Sequence, residues 1–302
     1  MTPDTAKKVA SSLLDATGRA LMSGDFDAFA GCFRLPQSIG TIDGVRLLNT
    51  KADLERAFDR VRAHYADIGL AKLDRWIELA LFDGPTVIRS CHMTHIRSAD
   101  GQLLKDPVVT LSQLVCENDQ WRIAGMLYSV PSDSDHGRAL LSGGAQPSTD
   151  QAQKYAAEAV FQSYLDRVTR AYLDGQFATL SEAVQLPLFV QTSTGTMVVM
   201  RTDHLEEDFN RTVTQLRVHG VSDIVRRVHI AEMVGDRRIH GAYRTHILSG
   251  ARLVIPAYKS AMTIEQGADL TWRMTSVIHP MGHLTMQAQI DAQDAPGHGG
   301  LT

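Results

Sequence analysis

TVIRSCHMTHIRS, residues Thr86–Ser98, is answered later in the same chain by RRIHGAYRTHILS, residues Arg237–Ser249. The Thr94-His95 pair returns as Thr245-His246, 151 positions on (245 − 94). Read without a gap, the same offset carries Arg19-Ala20 onto Arg170-Ala171, Gly24 onto Gly175 and Leu35-Pro36 onto Leu186-Pro187. It also carries Leu54-Glu55, Phe58 and Arg75 onto Leu205-Glu206, Phe209 and Arg226, and Trp121-Arg122 onto Trp272-Arg273. A period this long marks a duplicated domain rather than a short structural repeat. The reading is a first copy over residues 1–130 and a second over 151–281. Between them PSDSDHGRALLSGGAQPSTD, residues 131–150, has the Ser, Gly, Pro and Asp content of a linker. Residues 282–302 turn polar and Gly-rich and read as a tail.

Each copy opens on an amphipathic helix. Val9, Leu13, Leu14 and Leu21 recur near the helical period in the first, and Phe161, Leu165, Val168 and Tyr172 in the second. Gly24 and Gly175 stop these helices. A short helix follows, with Asp25 as N-cap and the Leu-Pro pairs as its end. After two short strands, Thr50 caps a longer helix whose stripe is Leu54, Ala57, Phe58, Val61 and Tyr65. Four long strands complete the copy, near Ala71–Phe82, Thr86–Ser98, Leu103–Glu117 and Gln120–Val130, with counterparts 151 residues on. This order of elements predicts an α+β fold, a curved mixed or antiparallel sheet wrapped around helices.

That order, the Gly24-Asp25-Phe26 step and the Trp-Arg opening each last strand resemble the nuclear transport factor 2-like superfamily of cystatin-like cones. The superfamily includes SnoaL-like polyketide cyclases, ketosteroid isomerases and scytalone dehydratase. The resemblance spans almost all of both copies. It implies that the copies pair through the outer faces of their sheets as a pseudo-dimer within one chain. It implies no particular activity, because such folds host many.

Alternation along the doubled strand separates its faces. Ile88, Ser90, His92, Thr94 and Ile96 are expected to face the helices, with Ile239, Gly241, Tyr243, Thr245 and Ile247 as counterparts. Arg89, Cys91, Met93, His95 and Arg97 are expected to face outward, toward solvent or the partner copy. On this reading His95 and His246 mark the duplication and are sheet-surface or interface residues. The chemistry falls to His92 and its counterpart Tyr243, and to Tyr128 and its counterpart His279. A histidine titrates near neutrality and a phenol can donate to a developing oxyanion, so the pair suits proton transfer. A hydrogen-bonded core contact is the bland alternative. His92 with Asp106 would resemble a His–Asp pair, but the counterpart of Asp106 is Ala257, and that of Asp43 is Thr194. The three-residue isomerase pattern, a carboxylate base with a Tyr and a neutral Asp, is complete in neither copy.

The chain is 44% hydrophobic and 21% charged with a net charge of −4, so no basic stripe suggests nucleic acid. Cys32, Cys91 and Cys116 form neither a disulfide framework nor a metal motif, which fits a reducing, cytoplasmic setting. No apolar run is long enough to span a membrane, and no phosphate-cradle or nucleophile-elbow motif occurs. His279 and His283 lack companion ligands, and no cofactor or metal is expected. Arg226-Arg227 and Arg237-Arg238 make the second copy locally basic and read as a solvated or interface edge, with an anion site as the alternative. The expectation is a SnoaL-like pocket protein for a small apolar organic ligand, acting without a cofactor as an isomerase, cyclase or dehydratase on a carbonyl-type substrate. The alternative is a non-catalytic binding or interaction module that uses the duplicated sheet as a scaffold.

Overall fold

The computed structural model describes residues 2–141 and 151–280. The first copy runs α1 (Pro3–Ser23), α2 (Phe26–Gly31), β1 (Phe33–Gly40), β2 (Val45–Leu48), α3 (Lys51–Asp67), β3 (Lys72–Phe82), β4 (Val87–Arg97), β5 (Val108–Glu117) and β6 (Gln120–Tyr128). A further helix, α4 (Asp135–Leu141), follows it. The second copy repeats the plan as α5 (Gln151–Asp174), α6 (Phe177–Glu182), β7 (Val184–Thr192), β8 (Gly195–Val199), α7 (Thr202–Val218), β9 (Asp223–Met233), β10 (Arg238–Ser249), β12 (Tyr258–Gln266) and β13 (Trp272–Ile278). A two-residue strand, β11 (Arg252–Leu253), pairs with the end of β10.

Local chemistry accounts for the helix ends. The Ala28 amide donates to Asp25 Oδ1 at 3.0 Å, and the Asp53 amide donates to Thr50 Oγ1 at 3.2 Å. Asp53 reaches back to accept from the Thr50 amide at 2.9 Å, completing a capping box. The Leu-Pro pairs do not end helices. α2 and α6 already stop at Gly31 and Glu182, and both pairs lie within strands as cis peptides. Proline, lacking an amide donor, falls where β1 and β7 break register with β6 and β13.

The first sheet is ordered β2-β1-β6-β5-β4-β3, and the second follows the same plan with β8-β7-β13-β12-β10 and β9 against β10. Each is mixed, because β1 runs parallel to β6 and β7 parallel to β13. The gapless offset does not survive in the registers. His92 pairs with Thr110 and Tyr243 with Ser260, so β4 and β10 differ by 151 (243 − 92) but β5 and β12 by 150 (260 − 110). One residue is lost before β12 and regained in the hairpin after it, a compensation that a single-offset reading cannot see.

Helices cover the inner face of each sheet, and each copy has its own core, built around Phe58 in the first and Phe161 and Phe209 in the second. The outer faces meet in a third cluster that joins Cys91, Leu111 and Leu127 to Phe189, Ala242 and Ala261. Polar ties frame it. Arg89 lies 2.8 Å from Asp83 and 3.1 Å from Glu265 of the other copy. Burial pulls the Arg89 pKa down, but the two carboxylates outweigh it and hold the guanidinium charged. Lys259 donates to Asp43 at 2.7 Å. His240, the counterpart of Arg89, stands 3.2 Å from Ser38 Oγ. Gly40 is small of necessity there, since a Cβ would come within 2.2 Å of the His240 ring.

One boundary expectation changes. Residues 135–141, read as linker, form α4, whose Ala139 and Leu140 are buried against the first copy. The polar composition hid a short apolar face that packs beside α3. Residues 142–150 and the expected tail at 282–302 lie outside the described residues.

Candidate functional site

Between α1, α3, α4 and the inner face of the first sheet lies a cavity of about 80 Å³. Leu14, Phe33, Leu54, Phe58 and Ile77 make its walls apolar. Ser90, His92 and Thr94 enter from β4, as the alternation requires, and Tyr128 enters from β6. The matching cavity of the second copy is roomier, about 180 Å³, and Tyr243 and His279 line it. Four of the five sequence candidates therefore face the two cone interiors, two in each.

Asp106 does not. Strand β5 begins only at Val108, and Asp106 sits exposed in the preceding loop, beside Pro107. The His92–Asp106 pair is not formed, because Pro107 cannot donate to the ladder and the strand starts beyond it. Asp43 is buried but turned to the interface. Burial pushes its pKa up, yet Lys259 and the Ser132 amide hold the carboxyl below its usual range. Among the described residues neither cavity lining includes a carboxylate.

The structure adds residues that the sequence reading passed over. Arg75 of β3 and its counterpart Arg226 of β9 both reach their cavities. Arg226, read as a solvated edge residue, points inward because it sits opposite Thr245 of β10, as Arg75 sits opposite Thr94. Arg75 donates to the Leu14 carbonyl and to Thr17 Oγ1 (3.2 Å) on α1. Arg226 donates to Thr169 Oγ1 (2.8 Å) on α5 and lies over the Tyr172 ring. His136, in the stretch read as linker, is carried in by α4. Its ring stacks on Tyr65 with centroids 6.0 Å apart and meets Tyr128 edge-on at 6.2 Å. Tyr258 enters the second cavity at the register position of Val108, which the gapless offset had assigned to Pro107.

Burial sets the protonation of these groups. It pushes His92 down to about 3, with Arg75 adding to the effect, and His136 down to about 4, with His64 and Lys105 adding. Both imidazoles are neutral at physiological pH. Burial raises Tyr65 and Tyr243 to about 12 and raises Tyr128, Tyr172 and Tyr258 as well, so the phenols keep their protons. Burial also lowers Arg75. Each site thus offers neutral donors and acceptors on apolar walls beside one guanidinium. No group of three or more His, Cys, Asp or Glu side chains is placed to hold a metal among the described residues. No helix there is long and apolar enough to cross a membrane.

Fold and site define a tandem protein, two α+β cones joined through their sheets. No family model and no curated protein matches this chain. Among solved structures it is similar to a cystatin-like-fold domain of unknown function from Nostoc punctiforme, at 13% identity over 42% of this chain and 78% of that one (TM-score 0.35). It is also similar to a nuclear transport factor 2-like protein of unknown function from Shewanella oneidensis, at 15% identity over 41% and 98% (TM-score 0.32). A proposed dehydratase of the same family from Streptomyces avermitilis is 16% identical over 43% and 99% (TM-score 0.34).

Proposed function

We propose that this chain is a paired-cone pocket protein for small, largely apolar organic molecules, and that the first cone performs proton transfer on a carbonyl-type ligand. The observation that carries the reading is the placement of His92 and Tyr128 in one apolar cavity with Tyr65 and Arg75. No side-chain hydrogen bond holds the His92 ring among the described residues, and the ring is neutral, so it is free to accept a proton. An imidazole this weakly basic needs help. Negative charge developing on a bound carbonyl would supply it, raising the basicity of His92 as the proton leaves the carbon. Tyr128 and Tyr65 would donate to that oxygen, and Arg75 would stabilise its charge in a medium that screens little.

Binding without turnover is the second reading, favoured by the absence of a carboxylate from either described cavity lining. One experiment separates the two. Ligands found by thermal shift are incubated with the protein in D2O, and deuterium uptake next to the carbonyl is followed by NMR. Proton transfer predicts uptake that His92→Ala abolishes while Tyr243→Phe leaves it in place. Binding with no uptake supports the second reading, and uptake that His92→Ala leaves unchanged removes the assignment.

A further inference from the structure

The second cone carries a charge that nothing in its wall answers. Arg226 projects from β9, which Gln162 of α5 clamps by accepting from the Val228 amide (3.0 Å) and donating to the Arg226 carbonyl (2.9 Å). The backbone that bears the guanidinium is therefore fixed. Its one side-chain hydrogen bond among the described residues uses Nη1, toward Thr169, and leaves Nε and Nη2 for a guest. No ion pair forms to it there, and the cavity lining holds no Asp or Glu. Around it stand the rings of Tyr172, Tyr243 and Tyr258, with Met262 and Met274 completing a soft, polarisable wall. Burial raises the pKa of all three phenols, and the guanidinium opposes that rise in each, while Asp208 adds to it at Tyr172.

A fixed cation with a free planar edge, in a cavity of about 180 Å³, matches one ligand class by size and charge. Space on the order of 150 Å³ takes a benzene-sized guest, and the fork of an arginine matches a carboxylate in two parallel hydrogen bonds. We propose that the second cone is a carboxylate pocket for a small aryl acid, its ring against the tyrosines and methionines and its carboxylate on Arg226. This rests on the reading of the cones as small-molecule pockets and adds the charge and class of the guest. The first cone fits such a guest less well. Its cavity is smaller, and Arg75 already spends Nη2 on both the Leu14 carbonyl and Thr17.

Benzoate and benzamide, alike in shape and unlike in charge, provide the test by titration calorimetry at pH 7.5 on the full chain. The proposal expects benzoate to bind at least about tenfold more tightly than benzamide, the scale set by a hydrogen-bonded charge. Arg226→Gln should erase that preference, with a circular dichroism spectrum and melting temperature like those of the unsubstituted chain showing that the variant is folded. Arg226→Lys, which keeps the charge without the fork, should retain part of the preference and covers the case in which the glutamine variant does not fold. Arg201→Gln, the same charge loss at an exposed position paired with Asp203, should change nothing. Equal binding of the two probes, or a preference that persists in Arg226→Gln, overturns the carboxylate pocket and leaves the pocket reading standing. Failure of both probes to bind at millimolar concentration overturns the two together.

Discussion

The two cones share a frame and differ in how it is filled. At the base of the first, Ala10 of α1 faces the space near Ser90, and both line the cavity. In the second, the corresponding positions (161 − 10 = 151 and 241 − 90 = 151) hold Phe161 and Gly241. Phe161 is fully buried, and a Cβ on Gly241 would stand 2.6 Å from its ring. A large residue opposite a missing side chain has replaced two small ones, which plugs that end of the second cone and sets Phe161 edge-on to Tyr243 at 6.1 Å. The exchange conserves packing while it moves the open space toward Arg226 and Tyr258. His92 and His136 line the first cavity and Tyr172, Tyr243 and Tyr258 the second, so the duplicated frame encloses two different linings. The interface differs from side to side as well, with the Arg89 ion cluster answered by the neutral, buried His240.

Acid should break this comparison most severely. His92, His136 and His240 are buried, with pKa values held near 3, 4 and 3. The unfolded chain binds protons at these positions below about pH 6.5 and the folded chain does not. Their contribution is therefore intact above about pH 6.5 and is lost as pH falls toward 3–4. Each costs about 1.4 kcal/mol per pH unit, roughly 4 kcal/mol for the three at pH 5.5. Urea unfolding between pH 7.5 and 5 measures the slope. His136→Asn should flatten it, and an unchanged slope would show that His136 titrates normally.

Arg89→Met should come next, at about 3 kcal/mol, because it strands Asp83 and Glu265 in a half-dry interface. Glu265→Gln, which keeps the shape and one acceptor, should cost less. Denaturation curves should show the loss as an earlier transition, and a loss no larger than that of an exposed pair such as Arg201–Asp203 would mean the cluster contributes little.

Gly241→Ala should cost about 2 kcal/mol through overpacking against Phe161, and Phe161→Leu in the same chain should recover part of it. A double-mutant cycle on chemical denaturation gives the coupling, and strict additivity would show that the two positions do not fill one space. The mildest change in stability is expected from Ala10→Phe with Ser90→Gly, which gives the first cone the plug of the second. Ligands that stabilise the protein through the first cone should then lose their thermal shift, while benzoate keeps its own.

Much of the fold was legible because it rests on periodicities. The alternation in β4 placed Ser90, His92 and Thr94 inside and Cys91 and Arg89 at the interface, as found. The capping residues Asp25 and Thr50 announced their helices. The site was less legible wherever long range decided the outcome. His136 reaches Tyr65 and Tyr128 only because α4 folds back over the cone, and seven residues in a polar stretch give little sign of that. Asp106 falls within the strand expected over Leu103–Glu117, yet Pro107 delays the ladder and β5 begins at Val108. Tyr258 was concealed by a one-residue shift that only paired strands reveal.

From the sequence alone came the duplication, the α+β plan and the inward face of the doubled strand, since hydrophobic period and a repeated register are local and survive in one dimension. Tertiary structure decided which groups share a cavity and in what charge state. Arg75 and Arg226 turn inward, the imidazoles lose their protons and the phenols keep theirs, because desolvation depends on everything packed around a side chain and not on its neighbours in the chain. The strand that announces the repeat is therefore also where the copies part, with His92 in one cone and Tyr243 in the other, beside the equivalent arginines Arg75 and Arg226.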